Sequence, residues 1–568
     1  MKIFKLFPLA CAALMMSACS SDDPSNGGST GVNDPQYLSV NIVNVGATPS
    51  RASGDYENGS ADENKINKVR FYFFNGDGSP YLIKATGTEV TGGENINWLE
   101  ATPGEDTTTP GTSTSVEKIT NAVLVINGVQ SAAPSAIVAV VNPETVGAAT
   151  LNNDGQMRLS ELREKAVGST FYKTDAGKVT DFVMSNSVYV NAGTDVCASL
   201  VAGHVATSEA DAKKNPVDLY VERVAAKVTA DFDLNAFEVG NGTNWDTNKY
   251  GTKTAVGKIG DNEVYAVIDG WGLADENGKA EIEKQVDKGW TDGIVGISPW
   301  TTYDYRRCFW ENSVSFGSGA GANRPVNHKF NDFKAKKNDV LYTLPNTPLA
   351  AITNVYDNDV TKFFVAATLK YEDDSHNWKN AEICRYNGVQ FLGVDNLKTQ
   401  VALTFSKYYT STDDGTTHTQ LTKDDITFAE PTTSMKSYQV TPTLAADPAG
   451  TKKYYTKSST GTYTEVSKDD VNAAIGADKA EIRTDGKAYY YVPIRHLATD
   501  PTTVGYYGVV RNHFYKITLS GITGFGTPVY NPDKEIDPTV PSYSNTYLAA
   551  RVQVLQWRVV NQNVSLGK

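Results

Sequence analysis

Apolar and polar residues alternate along the last stretch of the chain, residues 547–566. Four apolar residues occupy every second position in its first half: Leu548, Ala550, Val552 and Val554. A period of two is typical of a strand that is buried on one face. Leu555 and Trp557 break this phase and Val560 resumes it. The pattern therefore predicts two short terminal strands, or one strand with a bulge.

A Pro-rich segment, residues 530–541, precedes these terminal strands and favours an extended backbone. Two interpretations of a strand on such a spacer stay open. It can fold back as the ordinary last strand of its own sheet, or it can add to the sheet of another molecule.

A second alternating stretch lies near the N-terminus, between Tyr37 and Val45. Its apolar positions are again two residues apart: Leu38, Val40 and Ile42. This pattern predicts an amphipathic strand. Arg51, the first arginine of the chain, follows in a polar stretch without hydrophobic periodicity. Loops of this kind are where proteases cut, although a single arginine is weak evidence for processing.

Short strands separated by turn residues are predicted for most of the remaining chain. The clearest are 69–74, 122–126, 136–141, 217–232, 263–273, 340–344, 363–371, 489–494 and 514–519. Only 159–166 has a helical pattern. A polar break at 207–215 divides the strands into two sets, and long polar insertions are predicted at 303–337 and 410–485. Many short strands with little helix favour β-sandwiches over a parallel sheet.

Composition agrees with a β-rich protein of more than one domain. The 568 residues suffice for two or more domains. Tyrosine is the commonest aromatic residue, with 30 copies, and it favours strands. The formal net charge of −13 argues against nucleic acid as a partner, because phosphate binding needs clustered Lys and Arg.

The first 18 residues have the pattern of a secretion signal. Lys2 and Lys5 precede an apolar core, 6–16, that is too short to span a bilayer. The next residues, Met16-Ser17-Ala18-Cys19, resemble the lipobox of bacterial lipoproteins, which implies cleavage before Cys19 and acylation of its thiol. Ser20-Ser21-Asp22-Asp23 resembles the export signal of surface lipoproteins in Bacteroidetes-type bacteria. Plain secretion with an unmodified Cys19 is the alternative.

We predict no catalytic residue, cofactor or metal site. The six histidines are scattered without an HExxH motif, and the cysteines lack CxxC spacing. Cys197, Cys308 and Cys384 are expected to be small buried hydrophobic residues. The GxSxG match at 27–31 lies in a polar linker, without the strand and helix of a nucleophile elbow. We therefore expect no enzyme, with a glycosidase that uses paired carboxylates as the least favoured alternative.

Several segments together resemble the shaft subunits of Bacteroidetes type V fimbriae, in particular the Mfa-type major subunit of the minor fimbrium. These segments are the lipobox at Cys19, the strand before Arg51, 182–186, 221–228, 344–347, 509–515 and 552–559. The resemblance implies an all-β fold of two transthyretin-like Greek-key β-sandwich domains, with long insertions and minor helix. The implied segments are a signal peptide (1–18), a propeptide (19–51), an N-terminal domain (52–215), a C-terminal domain (216–546) and a donor strand segment (547–568).

The same resemblance implies an assembly route. In the family, the lipidated precursor reaches the outer membrane, and an Arg-specific protease then cuts after the arginine that Arg51 matches. Ala52 becomes the first residue, and the strand 37–45 is lost. Its three to five large apolar side chains represent roughly 5–15 kcal/mol of burial. A donor strand from another copy replaces it and extends a head-to-tail filament. The docking residues are expected to be Val552, Val554, Leu555, Trp557 and Val559.

The function implied by the resemblance is that of a structural pilin that supports adhesion or biofilm formation. Its expected partners are other copies of itself, accessory tip and anchor subunits, the protease, and host or bacterial receptors. Membrane contact is expected only through the precursor's lipid, such as palmitate. The alternative is a surface-anchored lipoprotein that binds glycans and does not polymerise. It would use a cluster of aromatic residues: Trp300, Tyr303, Tyr305, Phe309 and Trp310. A tip adhesin that does not polymerise is a second alternative.

Overall fold

The computed structural model describes most of the chain from Gln36 to Asn561. The described residues are 36–44, 59–84, 95–102, 104–105, 118–126, 132–146, 151, 156–191, 194–201, 203–232, 255–286, 311–313, 328–348, 360–496, 500, 502–536, 547–556 and 558–561.

Sixteen strands of the described residues precede residue 224. They are β1 (Gln36–Asn44), β2 (Val69–Phe74), β3 (Ile83–Lys84), β4 (Asn95–Ile96), β5 (Trp98–Ala101), β6 (Gly104–Glu105), β7 (Lys118–Ile126), β8 (Ala136–Val141), β9 (Ala166–Val167), β10 (Lys173–Asp175), β11 (Lys178–Thr180), β12 (Met184–Asn186), β13 (Tyr189–Asn191), β14 (Thr194–Val196), β15 (Ser199–Leu200) and β16 (Val217–Arg223).

The strands that follow are β17 (Ala226–Phe232), β18 (Gly257–Ile259), β19 (Asn262–Ala274), β20 (Ala280–Glu281), β21 (Val340–Thr343), β22 (Lys362–Glu372), β23 (Trp378–Asn380), β24 (Ile383–Tyr386), β25 (Val389–Leu392), β26 (Tyr408–Ser411), β27 (Thr419–Gln420), β28 (Ile426–Ala429), β29 (Gln439–Leu444), β30 (Lys453–Lys457), β31 (Tyr463–Val466), β32 (Ala480–Ile482), β33 (Lys487–Pro493), β34 (Phe514–Thr523), β35 (Thr527–Pro528), β36 (Tyr547–Gln556) and β37 (Arg558–Asn561).

Helices in the described parts of the chain are short. The α-helices are α1 (Pro143–Val146), α2 (Leu159–Arg163), α3 (Glu209–Ala212), α4 (Val394–Thr404) and α5 (Lys468–Ile475). Three single-turn 3-10 helices lie at Phe330–Asp332, Lys423–Asp425 and Thr484–Gly486. The longest helix, α4, has 11 residues, so the all-β class predicted from the sequence is confirmed.

The first large sheet gathers strands from the N-terminal part of the chain. Its nine strands follow the order β5-β2-β8-β12-β16-β1-β7-β6, with β15 beside β8. The segments β2 (VRFYFF) and β8 (AIVAVV) are continuous apolar runs. Such runs are typical of strands that are buried on both faces, and every residue of β2 is buried.

Two further sheets form a β-sandwich from the C-terminal part of the chain. One has the order β21-β17-β34-β36-β37, and the other has the order β18-β19-β22-β33-β35 with β23 beside β22. Their facing apolar residues make a second core, to which β17 contributes Val228, β34 contributes Ile517 and β22 contributes Val365. Consecutive strands β16 and β17 belong to the first and the second sheet, so the chain changes sheet between Arg223 and Ala226. The division at 215/216 stays a prediction.

A third hydrophobic core lies between residues 384 and 482, where the sequence analysis predicted mostly a polar insertion. Two small sheets, β25-β24-β32-β29-β28 and β27-β26-β30-β31, enclose it together with α4 and α5. Ser467 caps α5 by accepting a hydrogen bond from the backbone of Asp470. Val471 and Ile475, spaced by one helical turn, bury the apolar side of α5. The expectation of a polar insertion at 410–485 was wrong, because single apolar residues between polar ones supply this core.

Gly486 lies between this third unit and β33, and a substitution at this residue tests how closely the backbone packs there. Its φ is +74°, and a Cβ atom would lie 2.5 Å from the carbonyl oxygen of Leu369. Gly388 has a similar φ of +81° with no atom within 4 Å of its Cβ position, so it is a matched control. We expect Gly388→Ala to lower the free energy of unfolding by roughly 1–2 kcal/mol. We expect Gly486→Ala to lower it by roughly 1–3 kcal/mol more, because of the clash. Equal losses in urea unfolding would contradict this packing.

Strand β1 contributes three fully buried side chains to the first core, and its share of the stability can be measured. Ile42 has no exposed surface, whereas Val125 on the neighbouring β7 is 46% exposed. We expect Ile42→Ala to lower the free energy of unfolding of the full chain by about 2–5 kcal/mol. Val125→Ala should cost under about 1 kcal/mol, since a partly exposed side chain loses little burial. Similar small losses in both variants would show that β1 does not carry the core.

Candidate functional site

The strand β1 occupies an interior position in the first sheet. It runs antiparallel to β7, with Leu38 opposite Leu124 and Ile42 opposite Thr120. On its other side it runs parallel to β16, with Val40 opposite Val217. The Tyr37 amide also donates to the carbonyl of Ala206 at 2.8 Å, and the Ala206 amide donates back at 2.9 Å. Backbone groups of β1 are therefore bonded on both sides.

The apolar face that the sequence pattern predicted for β1 is fully buried, and Ser39 on its other face is buried too. Leu38, Val40 and Ile42 have no exposed surface and belong to the first core. If β1 were absent, β7 and β16 would lose their shared neighbour. Each would then expose a row of backbone donors and acceptors, and the core would carry a cavity in place of three side chains. The resulting groove would accept a strand antiparallel to β7 and parallel to β16.

The C-terminal strands pair within their own chain. β36 runs antiparallel to β34, with Val552 opposite Ile517 and Val554 opposite Tyr515. The side chains of Ile517 and Tyr515 are fully buried in the second core. Of the two interpretations of this stretch, the structure contains the strand folded back into its own sheet.

The break in the terminal hydrophobic pattern, between Val554 and Leu555, lies within β36 and before β37 begins. β37 pairs antiparallel with β36, and Val559 lies opposite Leu555. Trp557, between the two strands, lies outside the described residues. The pairing of β34 with β36 has an irregular register, and the irregularity lies on β34 between Leu519 and Gly521. Two short strands were one of the two arrangements that the sequence pattern predicted.

The two sheets that hold β1 and β36 repeat one pairing pattern. In the first sheet, β12, β16, β1, β7 and β6 pair in the senses antiparallel, parallel, antiparallel and antiparallel. In the second sheet, β21, β17, β34, β36 and β37 pair in the same four senses. β34 thus holds the place that β1 holds in the first sheet. Nothing in the hydrophobic pattern reveals this correspondence, because it depends on which strands pair.

The expected lipidation and processing sites, Cys19, Arg51 and Ala52, lie outside the described residues. The description resumes at Gly59, just before a buried acidic residue, Glu63, that is 2% exposed. Lys227 on β17 places its Nζ 2.9 Å from Glu63 Oε1, and Tyr342 on β21 donates its hydroxyl proton to the same carboxylate. The Ser60 amide donates to Glu63 Oε2 at 2.6 Å.

The charge of Glu63 is stabilised although the residue is buried. Burial opposes its ionisation, but Lys227 and the hydrogen bonds from Tyr342, Lys227 and Ser60 outweigh it and hold the pKa of the carboxyl below its usual value. Arg223 Nε donates to the Glu63 carbonyl at 3.0 Å. The segment that follows the expected cleavage site is therefore bonded to strands of both large sheets.

Glu222 and Glu283, whose carboxyl pKa values are raised by burial, lie beyond the reach of a substrate. Burial raises the pKa of Glu283 to about 8. The ion pairs Glu222–Lys284 (3.0 Å) and Glu311–Arg511 (2.6 Å) have side chains that are at most 1% exposed. Perturbed pKa values mark active sites when they line a cleft, and a fully buried cluster is a structural feature instead.

Histidine and cysteine side chains also have structural surroundings. His496 and His513 are fully buried; Nδ1 of His496 lies 2.9 Å from the Tyr515 hydroxyl, and Nδ1 of His513 donates to the Arg511 carbonyl at 2.7 Å. Cys197 and Cys384 are buried free thiols, and Cys308 is not among the described residues. Burial raises the pKa of the Cys384 thiol to about 12, which makes it a poor nucleophile at neutral pH.

The described residues contain neither a candidate metal site nor a candidate membrane-spanning helix. In the described ranges, no three His, Cys, Asp or Glu side chains are grouped as metal ligands. None of the helices in these ranges is long and apolar enough to cross a membrane. The aromatic cluster of the glycan-binding alternative, 300–310, falls in a part of the chain that is not described.

Solved structures offer distant similarities. A candidate cell adhesion protein from Parabacteroides distasonis shares 12% identity at a TM-score of 0.36, over 94% of this chain and 100% of that one. A candidate cell adhesion protein from Bacteroides eggerthii shares 10% identity at a TM-score of 0.35, over 93% of this chain and 99% of that one. The C-terminally truncated tip fimbrial protein Mfa3 from Porphyromonas gingivalis shares 10% identity at a TM-score of 0.27, over 90% of this chain and 99% of that one. TM-scores this low carry no argument about fold or function.

A family match bears directly on the C-terminal strands. Residues 483–563 match the family described as major fimbrial subunit protein type IV, Fimbrillin, C-terminal. This range includes β33, β34, β36 and β37. The comparison with curated proteins finds no match. The match at 483–563 confirms the resemblance to fimbrial subunits for the C-terminal part of the chain.

Proposed function

We propose that the protein is a shaft subunit of a surface fimbria and polymerises by donor-strand exchange after proteolysis. The observation that carries the proposal is the place of β1, an interior strand that precedes Arg51 in sequence. The match of residues 483–563 to the C-terminal part of fimbrial subunits supports a fimbrial role.

Cleavage after Arg51 would convert β1 from a covalent part of the sheet into a separate peptide. Its hydrogen bonds to β7 and β16, and the burial of Leu38, Val40 and Ile42, would then hold it only noncovalently. A donor strand from another copy would replace it and would restore both kinds of contact. The contact joins the front of one copy to the end of another and does not close, so it propagates as a filament.

The donor in this proposal is the segment of β36 and β37, with Val552, Val554, Leu555, Trp557 and Val559 as its docking residues. In the folded-back state, β36 is bonded along one side to β34 and, over Gln553–Gln556, to β37 on the other. In the groove left by β1, a strand would be bonded along both sides, to β7 and to β16. The longer second row of hydrogen bonds favours transfer of the strand, while the need to detach it first makes the exchange slow.

Before processing, the precursor would be held at the outer membrane by lipid on Cys19. Several acyl chains, palmitate among them, give a stable anchor where one chain would be marginal. Removal of residues 19–51 would release the subunit from that anchor and open the groove in one step. Tip and anchor subunits, the Arg-specific protease, and a host or bacterial receptor complete the set of proposed partners.

Two complementary variants test the proposal. Arg51→Ala should keep β1 and a competent donor but form no groove. The double variant Val552→Asp, Val554→Asp, once processed, should have a groove but no donor, because buried carboxylates are costly. Each variant alone should stay monomeric after protease treatment. Mixed, they should form a heterodimer that stops at two subunits and resists unheated detergent gels.

The control is Gln553→Asp, at the intervening position of the strand, which should polymerise like the unaltered protein. Since Val552 and Val554 also pair with β34, circular dichroism must show that the double variant is folded before its assembly is scored. Polymers from either variant alone, or no heterodimer from the mixture, would contradict strand exchange through these residues.

A further inference from the structure

Basic residues are distributed unevenly around the expected cleavage site. Arg51 is the only Lys or Arg between Lys5 and Lys65. Three more follow at once: Lys65, Lys68 and Arg70. Cleavage at any of these three would cut into the approach to β2 or into β2 itself. Because every residue of β2 is buried in the sheet, such a cut would damage the first core rather than open one groove.

Two anchors hold the segment that carries these basic residues, 59–68. The first is Glu63, which is bonded to Lys227 and Tyr342 of the second sheet. The second is Asn142, whose Nδ2 donates to the Lys65 carbonyl at 3.0 Å and whose Oδ1 accepts from the Asn67 amide at 2.9 Å. The peptide bond after Lys65 thus lies between two buried anchors.

Proteases need a substrate segment that can leave its surroundings and extend in their active site. Cleavage of a folded protein therefore follows the population of locally opened chains. Residues 59–68 can extend only if the Glu63 carboxylate leaves its ion pair with Lys227 or the Asn142 bonds break. Either step leaves charged or polar groups buried without their partners, which is costly.

We propose that Glu63 is a specificity-determining residue for processing, because it holds residues 59–68 across both sheets and so confines cleavage to Arg51. The inference rests on the proposed function, in which cleavage at Arg51 opens the groove. Glu63 acts on the substrate side of this reaction, through the position of the backbone around Lys65. It is a positioning residue and does not contact the reacting bond.

Trypsin, which cuts after both Lys and Arg, tests the inference on the purified full chain. Short digestion followed by intact mass measurement separates chains that begin at Ala52 from chains that begin at Ile66. For the unaltered protein we expect Ala52 chains to accumulate. In Glu63→Ala, the rate of cleavage after Lys65, relative to that after Arg51, should rise by about tenfold or more.

Two further variants make the result interpretable. Asp62→Ala is the matched control, since Asp62 lies in the same segment and its ion pair with Lys178, at 3.5 Å, is solvent-exposed. It should leave the cleavage ratio unchanged. Tyr342→Phe removes one hydrogen bond to Glu63 and keeps the ring, so it should raise the ratio by a smaller factor. If Glu63→Ala fails to fold, Tyr342→Phe decides, and an unchanged ratio overturns the inference.

Failure of this inference is distinguishable from failure of the proposed function. If trypsin does not cut the unaltered chain after Arg51, the proposed processing site is wrong. If it cuts after Arg51 but cuts after Lys65 equally fast, processing stands and the role of Glu63 is overturned. A Glu63→Ala pattern identical to that of Asp62→Ala overturns it as well.

Discussion

The double row of hydrogen bonds around β1 is the constraint on which the first sheet depends. β7 and β16 do not pair with each other, so the sheet is continuous only while a strand lies between them. The three fully buried side chains of β1 tie the same place to the hydrophobic core. Any strand with a similar apolar alternation could satisfy these needs, and the C-terminal stretch has that alternation. The position between β7 and β16 therefore requires a particular hydrophobic pattern, and a strand of another chain with that pattern could meet the requirement.

In the proposed exchange, the first sheet must survive while β1 is missing, and the contacts at the junction of the two large sheets suit that need. Glu63, Lys227 and Tyr342 join the segment before β2 to β17 and β21. Ala280 and Ile282, which follow β17 in sequence, complete the first core, and β20 pairs with β9. The contacts of Glu63 and the pairing of β20 with β9 do not involve β1. The junction would thus remain bonded after processing.

Local pattern predicted individual strands well and their partners poorly. Apolar runs marked β2 and β8, and alternation marked β1 and β36, because burial of side chains has the period of the strand itself. The parallel pairing of β1 with β16 joins residues far apart in sequence, which no local period records. The third core was missed since residues such as Val440 and Val471 stand singly between polar neighbours. Glu63 was missed because an acidic residue in a polar stretch predicts a solvated charge. Only its partners, from distant strands, show its burial.

The measurement that tests the central claim most directly is the N-terminal sequence of the mature protein from the cell surface, taken with unheated gel mobility of the same sample. The account predicts chains that begin at Ala52 and a ladder of high-molecular-weight polymers. A blocked, acylated Cys19, with β1 retained and only monomer on the gel, would contradict it and would favour an anchored binding protein.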